Sequence, residues 1–179
     1  LRKYEKAKEY LEDKGEFAKS QDAQFITEAE AFLAAYNTFE AAHDEASQIH
    51  DREYIKQLKD QKRLREASMH EAAFAFKQIL SLFESEEDFK DAAKQSKVDE
   101  YLELAKKSIE TFSAENASAK EKTPDDGNNS NYERLESELS DTLGSAREFK
   151  ASNWRTSKYE TFMKDYNDYI DALNRTYWR

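Results

Sequence analysis

Glu40-Ala41-Ala42-His43 sets a carboxylate and an imidazole three residues apart, on one face of a helix, as di-iron carboxylate bundles do. Such a centre needs a second Glu-x-x-His pair and two further inward carboxylates, and the sequence holds no second pair. His43 and His50 recur on the same helical stripe, where Glu40 or Asp44 could complete an adventitious zinc site. Two histidines on a stripe seldom gather four ligands, so the expectation is core or boundary histidines that hydrogen-bond locally. His70, in Ser68-Met69-His70-Glu71 just before Phe76, has the same reading. No nucleophile elbow, phosphate-cradling glycine loop or zinc-protease helix occurs, and Glu86-Glu87 suits the first turn of a helix, where the macrodipole favours carboxylates. The expectation is therefore a non-enzymatic chain with no catalytic residue, no cofactor and no metal.

The strongest repeated pattern is aromatic. Phe32-Leu33-Ala34-Ala35-Tyr36-Asn37-Thr38-Phe39 and Phe162-Met163-Lys164-Asp165-Tyr166-Asn167-Asp168-Tyr169 share one frame, an aromatic ring followed by Tyr-Asn and then a second ring. Ala42 and Ala172 extend it by three residues. The frame suits a duplicated recognition surface, or two core stripes that converge because amphipathic helices need apolar residues at this spacing. The core reading is the expectation for the Phe positions. It makes the first and last bundle helices neighbours, with Phe32, Tyr36 and Phe39 in one cluster with Phe162, Tyr166 and Tyr169. The Tyr hydroxyls, which prefer a polar partner, then reach the bundle rim beside Asn37 and Asn167. The segments at residues 35–39 and 166–174 also resemble the Tyr-Asn-x-hydrophobic segments of the YiiG-like bacterial predicted lipoproteins, a helical family of unknown function. That resemblance implies an exported, envelope-anchored helical protein, and it carries no catalytic or ligand residues across. The sequence has no Cys, so a lipid anchor would have to lie upstream of Leu1.

Helices must position these residues, and the apolar spacing shows where they run. Phe25, Phe32, Phe39 and Ala46 recur every seven residues with Ala29, Tyr36, His43 and His50 between them, which is an a/d seam. Phe76, Ile79, Leu80 and Phe83 form a second face, and Ser85-Glu86-Glu87-Asp88 reads as a cap opening a further helix. Val98, Leu102, Ala105, Ile109 and Phe112 continue it, fading near Ser118; Leu135, Leu139, Thr142, Ala146 and Phe149 follow. Tyr159, Phe162, Tyr166, Tyr169 and Leu173 run in a shifted phase, so a kink or register stutter is expected at Ala151-Ser152-Asn153-Trp154. Residues 120–131 concentrate Pro, Gly, Asn and Asp and predict an exposed loop.

Three Gly and one Pro occur where average usage would supply about a dozen and roughly nine. The fold class is therefore all-α, an antiparallel bundle of three or four long helices with no β-sheet. A reversal near His50-Asp51 gives four helices of comparable length, the preferred count. Residues 1–19 read as a short N-terminal helix and 20–179 as a single bundle domain.

The net charge of −10 repels nucleic-acid phosphates, so nucleic acid is not an expected partner. No window approaches the ~18 apolar residues of a transmembrane segment. Lys56, Lys59 and Arg63 share one helix side but are interrupted by Asp60 and Glu66, which favours a solvated face over a polyanion or membrane site. The leading expectation is a helical-bundle protein of the bacterial cell envelope or surface that binds another protein along a helix face, extracytoplasmic in the periplasm or at the cell surface. The alternatives are a cytosolic coiled-coil scaffold or membrane-associated helical module, and a helical carrier of metal or a small ligand.

Overall fold

A computed structural model describes residues 22–83, 85–123 and 129–177. Among them the chain forms five α-helices, one turn of 3-10 helix at Glu86–Lys90 and no strand. The helices are α1 (Asp22–Asp60), α2 (Leu64–Ser81), α3 (Ala92–Lys122), α4 (Asn129–Ala151) and α5 (Thr156–Tyr177). The chain is all-α as the scarcity of turn residues predicts, but with five helices instead of three or four. The short helix expected over residues 1–19 lies outside the described residues.

Two local stops explain the count. No reversal occurs at His50-Asp51; α1 runs through both and ends at Asp60. There the Lys62 N–H donates to Lys59 O at 3.0 Å and the Arg63 N–H to Leu58 O at 2.9 Å, with Lys62 at φ 60°. This is a Schellman stop whose left-handed position, usually Gly or Asn, is held by a lysine that announces nothing in the sequence. The same geometry recurs where a kink is expected: Asn153 N–H meets Lys150 O and Trp154 N–H meets Phe149 O, both at 3.2 Å. Asn153 and Trp154 both have positive φ, 60° and 63°. The phase shift is therefore a full reversal, and α4 and α5 are antiparallel, with Lys158 bonded to Glu148 at 2.7 Å and Thr142 Oγ1 lying 3.2 Å from Asp165 O.

The loop expected over residues 120–131 is shorter than its composition suggests. α3 continues through Lys122 and α4 begins at Asn129, whose side-chain amide donates to Thr123 O at 3.0 Å. Residues 124–128 lie outside the described ones.

The chain divides into two units, Leu1–Ile49 and His50–Arg179, with the boundary inside α1. In the first unit the side chains of residues 26–49 are all exposed or half-buried.

The second unit holds the core, drawn from α2, α3, α4 and α5. The stripes read from the sequence beyond residue 60 land in it: Phe76 and Ile79 from α2 with Phe83 just past its end, Val98 to Phe112 from α3, Leu135 to Phe149 from α4, and Phe162, Tyr169 and Leu173 from α5. Residues 50–60 of α1 lie antiparallel to α2, through Asp51–Lys77 at 3.0 Å and Lys59–Glu71 at 2.6 Å, and bury Ile55 and Leu58. α3 and α4 are antiparallel too, with Asn116 donating to Glu136 at 3.0 Å and Lys150 paired with Asp99. α5 closes on α2 through contacts that include Tyr169 OH donating to Met69 O at 2.9 Å and the Phe162 ring standing edge-on to Phe76. The expected cap at Ser85 forms, its N–H donating to Asp88 at 2.8 Å, but it opens only the 3-10 turn. Asp91 then caps α3, accepting from the Ala93 and Lys94 N–H groups at 2.8 and 3.3 Å.

Candidate functional site

The two halves of the aromatic repeat have opposite fates. On α5, Phe162 and Tyr169 are 0% exposed and Tyr166 is half-buried, as a core stripe requires. On α1, Phe32 is 67% exposed, Phe39 66% and Tyr36 41%. The expectation that both Phe positions are core therefore meets a buried Phe162 and an exposed Phe32. The reason is that helical spacing specifies a face and not what covers it. The hydroxyl expectation also splits, since Tyr36 OH bonds the rim carboxylate Glu40 at 3.1 Å while Tyr169 OH is buried on Met69 O. Asn37 and Asn167 are both exposed, as a rim position predicts.

The α1 stripe is an ordered surface. Phe32 and Tyr36 stack with centroids 6.3 Å apart, and Phe39 lies 6.2 Å from His43, so the rings form a row one turn after another. Ile26 and Ile49 are exposed on the same segment. Taking roughly 200 Å² per aromatic side chain, the three rings present about 350 Å² of accessible surface, the size of patch that marks interaction sites on soluble chains. Glu28 and Glu40 flank the row on opposite sides, and no Lys or Arg occurs between residues 26 and 49. That missing positive charge was the sequence signal distinguishing this stripe from the others. The helices that pack into the core carry both signs.

The metal arrangement is not built. Glu40 engages Tyr36, His43 Nδ1 lies 3.5 Å from Asp44, and His50 Nδ1 lies 3.9 Å from Asp51, with both imidazoles exposed. Among the described residues no three His, Cys, Asp or Glu side chains come together in a metal-binding group.

His70 and its surroundings form a small cavity of about 180 Å³ between residues 50–60 of α1, α2 and α5, lined by Asp51, Tyr54, Lys77 and Tyr166 among others. Tyr54 meets the imidazole edge-on at 5.0 Å. Burial lowers the His70 pKa below its usual value, against the opposing pull of Asp51 and Glu66. The Tyr166 phenol is pushed up to about 12, by burial first and by Asp51 second. Ligand pockets commonly span ~300–1,000 Å³, so this cavity is undersized, and its Asp51–Lys77 charges already pair. A larger cleft of about 450 Å³ lies by the 3-10 turn, where Thr156 donates to Glu86 at 2.8 Å and Gln95 to Phe89 O at 2.6 Å.

Behind that cleft, Phe83, Phe89, Phe149, Trp154 and Tyr159 pack with ring centroids 5.1–6.3 Å apart. Tyr159 OH lies 3.1 Å from both Leu80 O and Phe83 O, closing the carbonyl end of α2, and burial raises its pKa. This group anchors the fold. Part of the basic stretch is engaged within the chain: Lys59 pairs with Glu71, Arg63 with Glu66 at 2.8 Å, and Arg65 lies 3.6 Å from the Tyr132 ring. Among the described residues no helix is long and apolar enough to cross a membrane.

The chain matches no protein-family model, no curated protein and no solved structure.

Proposed function

We propose that the chain is a non-enzymatic, protein-binding helical protein whose docking face is the Phe32–Tyr36–Phe39 row on α1. One observation carries this reading: three large aromatic side chains, 41–67% exposed, stand in register on one helix face. A row that costs solvent-exposed apolar surface is retained where something covers it, and aromatic side chains are the commonest anchors at protein interfaces. Helix-in-groove and helix-on-helix recognition read such a face as anchors at i, i+4 and i+7. An envelope or cell-surface location, implied by the lipoprotein resemblance, belongs to the same proposal. A signal peptide with a lipidated Cys encoded upstream of Leu1 would support it, and a coding sequence that starts without one would count against it.

The test of the docking face is position-specific photo-crosslinking in the native host. A photoreactive residue at position 32 or 39 should give one discrete adduct, while positions 34 and 41, on the opposite side of the helix, should not. Equal adducts from both faces, or none from either, would defeat the proposal.

A further inference from the structure

Resting on that docking face, we infer that its partner is a basic amphipathic helix, one that sets an apolar seam against the aromatic row and Lys or Arg side chains along both edges. Residues 26–49 contain Glu28, Glu30, Glu40, Asp44 and Glu45 and no Lys or Arg. In heptad terms the row occupies the a and d positions, with Ala29, Phe32, Tyr36, Phe39, His43 and Ala46 in turn. Glu28 then falls at g and Glu40 at e, the two positions that flank a helix–helix seam and choose its partner by charge. Both are exposed.

The same pattern argues against the other occupants. A second copy docking row on row would bring the same carboxylates to the seam with no Lys or Arg from this segment to answer them. In parallel register it would set Glu28 against Leu33 and Glu40 against Ala35, so neither edge would gain an ion pair. An anionic lipid surface or a nucleic acid is repelled by the carboxylates of this segment. The exposed length also fits a helix: residues 26–49 span about 36 Å at 1.5 Å per residue, room for three heptads of a partner. The small residues interleaved with the rings, Ala29, Ala35, Ala42 and Ala46, leave space between them into which partner side chains fit as knobs.

The experiment is a fluorescence-anisotropy titration of the full chain with three labelled synthetic peptides of three heptads. All carry Leu at a and d: the first has Lys at e and g, the second Glu there, and the third has the composition of the first in scrambled order. The patterned Lys peptide should bind at least about tenfold more tightly than the other two, and its affinity should fall about tenfold between 50 and 500 mM NaCl as the charges are screened. The Phe32→Ala/Phe39→Ala double variant, altered only at exposed positions, should keep the parent circular dichroism spectrum and lose at least about tenfold in affinity. Equal binding of the Lys and Glu peptides, lost in the double variant, would overturn the basic-partner inference and leave the docking face standing. Equal binding of the scrambled peptide would overturn it in favour of bulk attraction to a chain of net charge −10. A parent that sediments as a dimer, and a double variant that sediments as a monomer, would replace the basic helix by a second copy. Peptide binding that the double variant leaves unchanged would defeat the docking face itself.

Discussion

Replacing Phe162 and Phe32 by Ala, one at a time, separates the two halves of the aromatic repeat by stability alone. Phe162 is 0% exposed and packs edge-on against Phe76 with centroids 6.0 Å apart, so truncation removes a whole ring from a filled core. Core Phe→Ala substitutions cost about 3–5 kcal/mol, from lost burial and the cavity left behind. With a urea m-value near 2 kcal/mol/M, that moves the midpoint down by roughly 1.5–2.5 M; on heating, a chain of this size loses roughly 6–20 °C. Phe32 keeps two-thirds of its surface in water, and its truncation should stay within about 0.5 kcal/mol, a midpoint change of about 0.3 M or less. The assay is equilibrium urea unfolding followed by tryptophan fluorescence, with Trp154 inside the aromatic group at the end of α2, and in parallel by circular dichroism at 222 nm. A Phe32→Ala midpoint that falls as far as that of Phe162→Ala would make the α1 row a core stripe and remove the basis of the docking proposal. A Phe162→Ala variant as stable as the parent would refute the packing of α5 on α2.

Two further outcomes follow from particular residues. Burial lowers the folded-state pKa of His70, so the unfolded chain takes up a proton first: the stability contributed is full above the unfolded value near 6.5 and is lost as pH falls through it toward the lower folded value. Stability between pH 7.5 and 5.5 should therefore decline on acidification by at most about 1.4 kcal/mol per pH unit, and His70→Gln should flatten that slope in urea melts across the range. Lys62 holds φ 60° at the stop between α1 and α2, a conformation that costs an L-residue about 1 kcal/mol, so Lys62→Gly should leave stability unchanged or raise it by up to that amount; a loss above 1 kcal/mol would mean that the lysine side chain has a partner worth more than the strain.

How far the sequence could be read follows from what its pattern encodes. Each stripe at threes and fours in α2 to α5 became core, because an apolar face at helical spacing is information about burial and the partners needed to bury it lay in the same unit. The cap at Ser85 was legible from its side chain but opens only the 3-10 turn, and the Asp91 cap that starts α3 was missed although an Asp before a helical run is a cap signal. The stop after α1 was illegible because Lys62 takes a left-handed conformation that its side chain does not advertise, whereas the stop after α4 has Asn153, a residue that favours that conformation, followed by Trp154, which does not. That is why a reversal was expected at His50-Asp51 and a kink at Ala151-Ser152-Asn153-Trp154. The α1 row misled for a different reason. Its periodicity equals that of α5, yet periodicity is a property of one helix and burial a property of two. What distinguished the rows was charge. Along α5 Lys158 and Lys164 stand among the carboxylates, pairing with Glu148 at 2.7 Å on α4 and with Asp168 at 2.7 Å on α5 itself, whereas residues 26–49 supply carboxylates only. Lys158 ties α5 to its neighbour α4, whereas the exposed rings and acidic flanks of residues 26–49 are the basis of the proposed docking to a basic amphipathic helix.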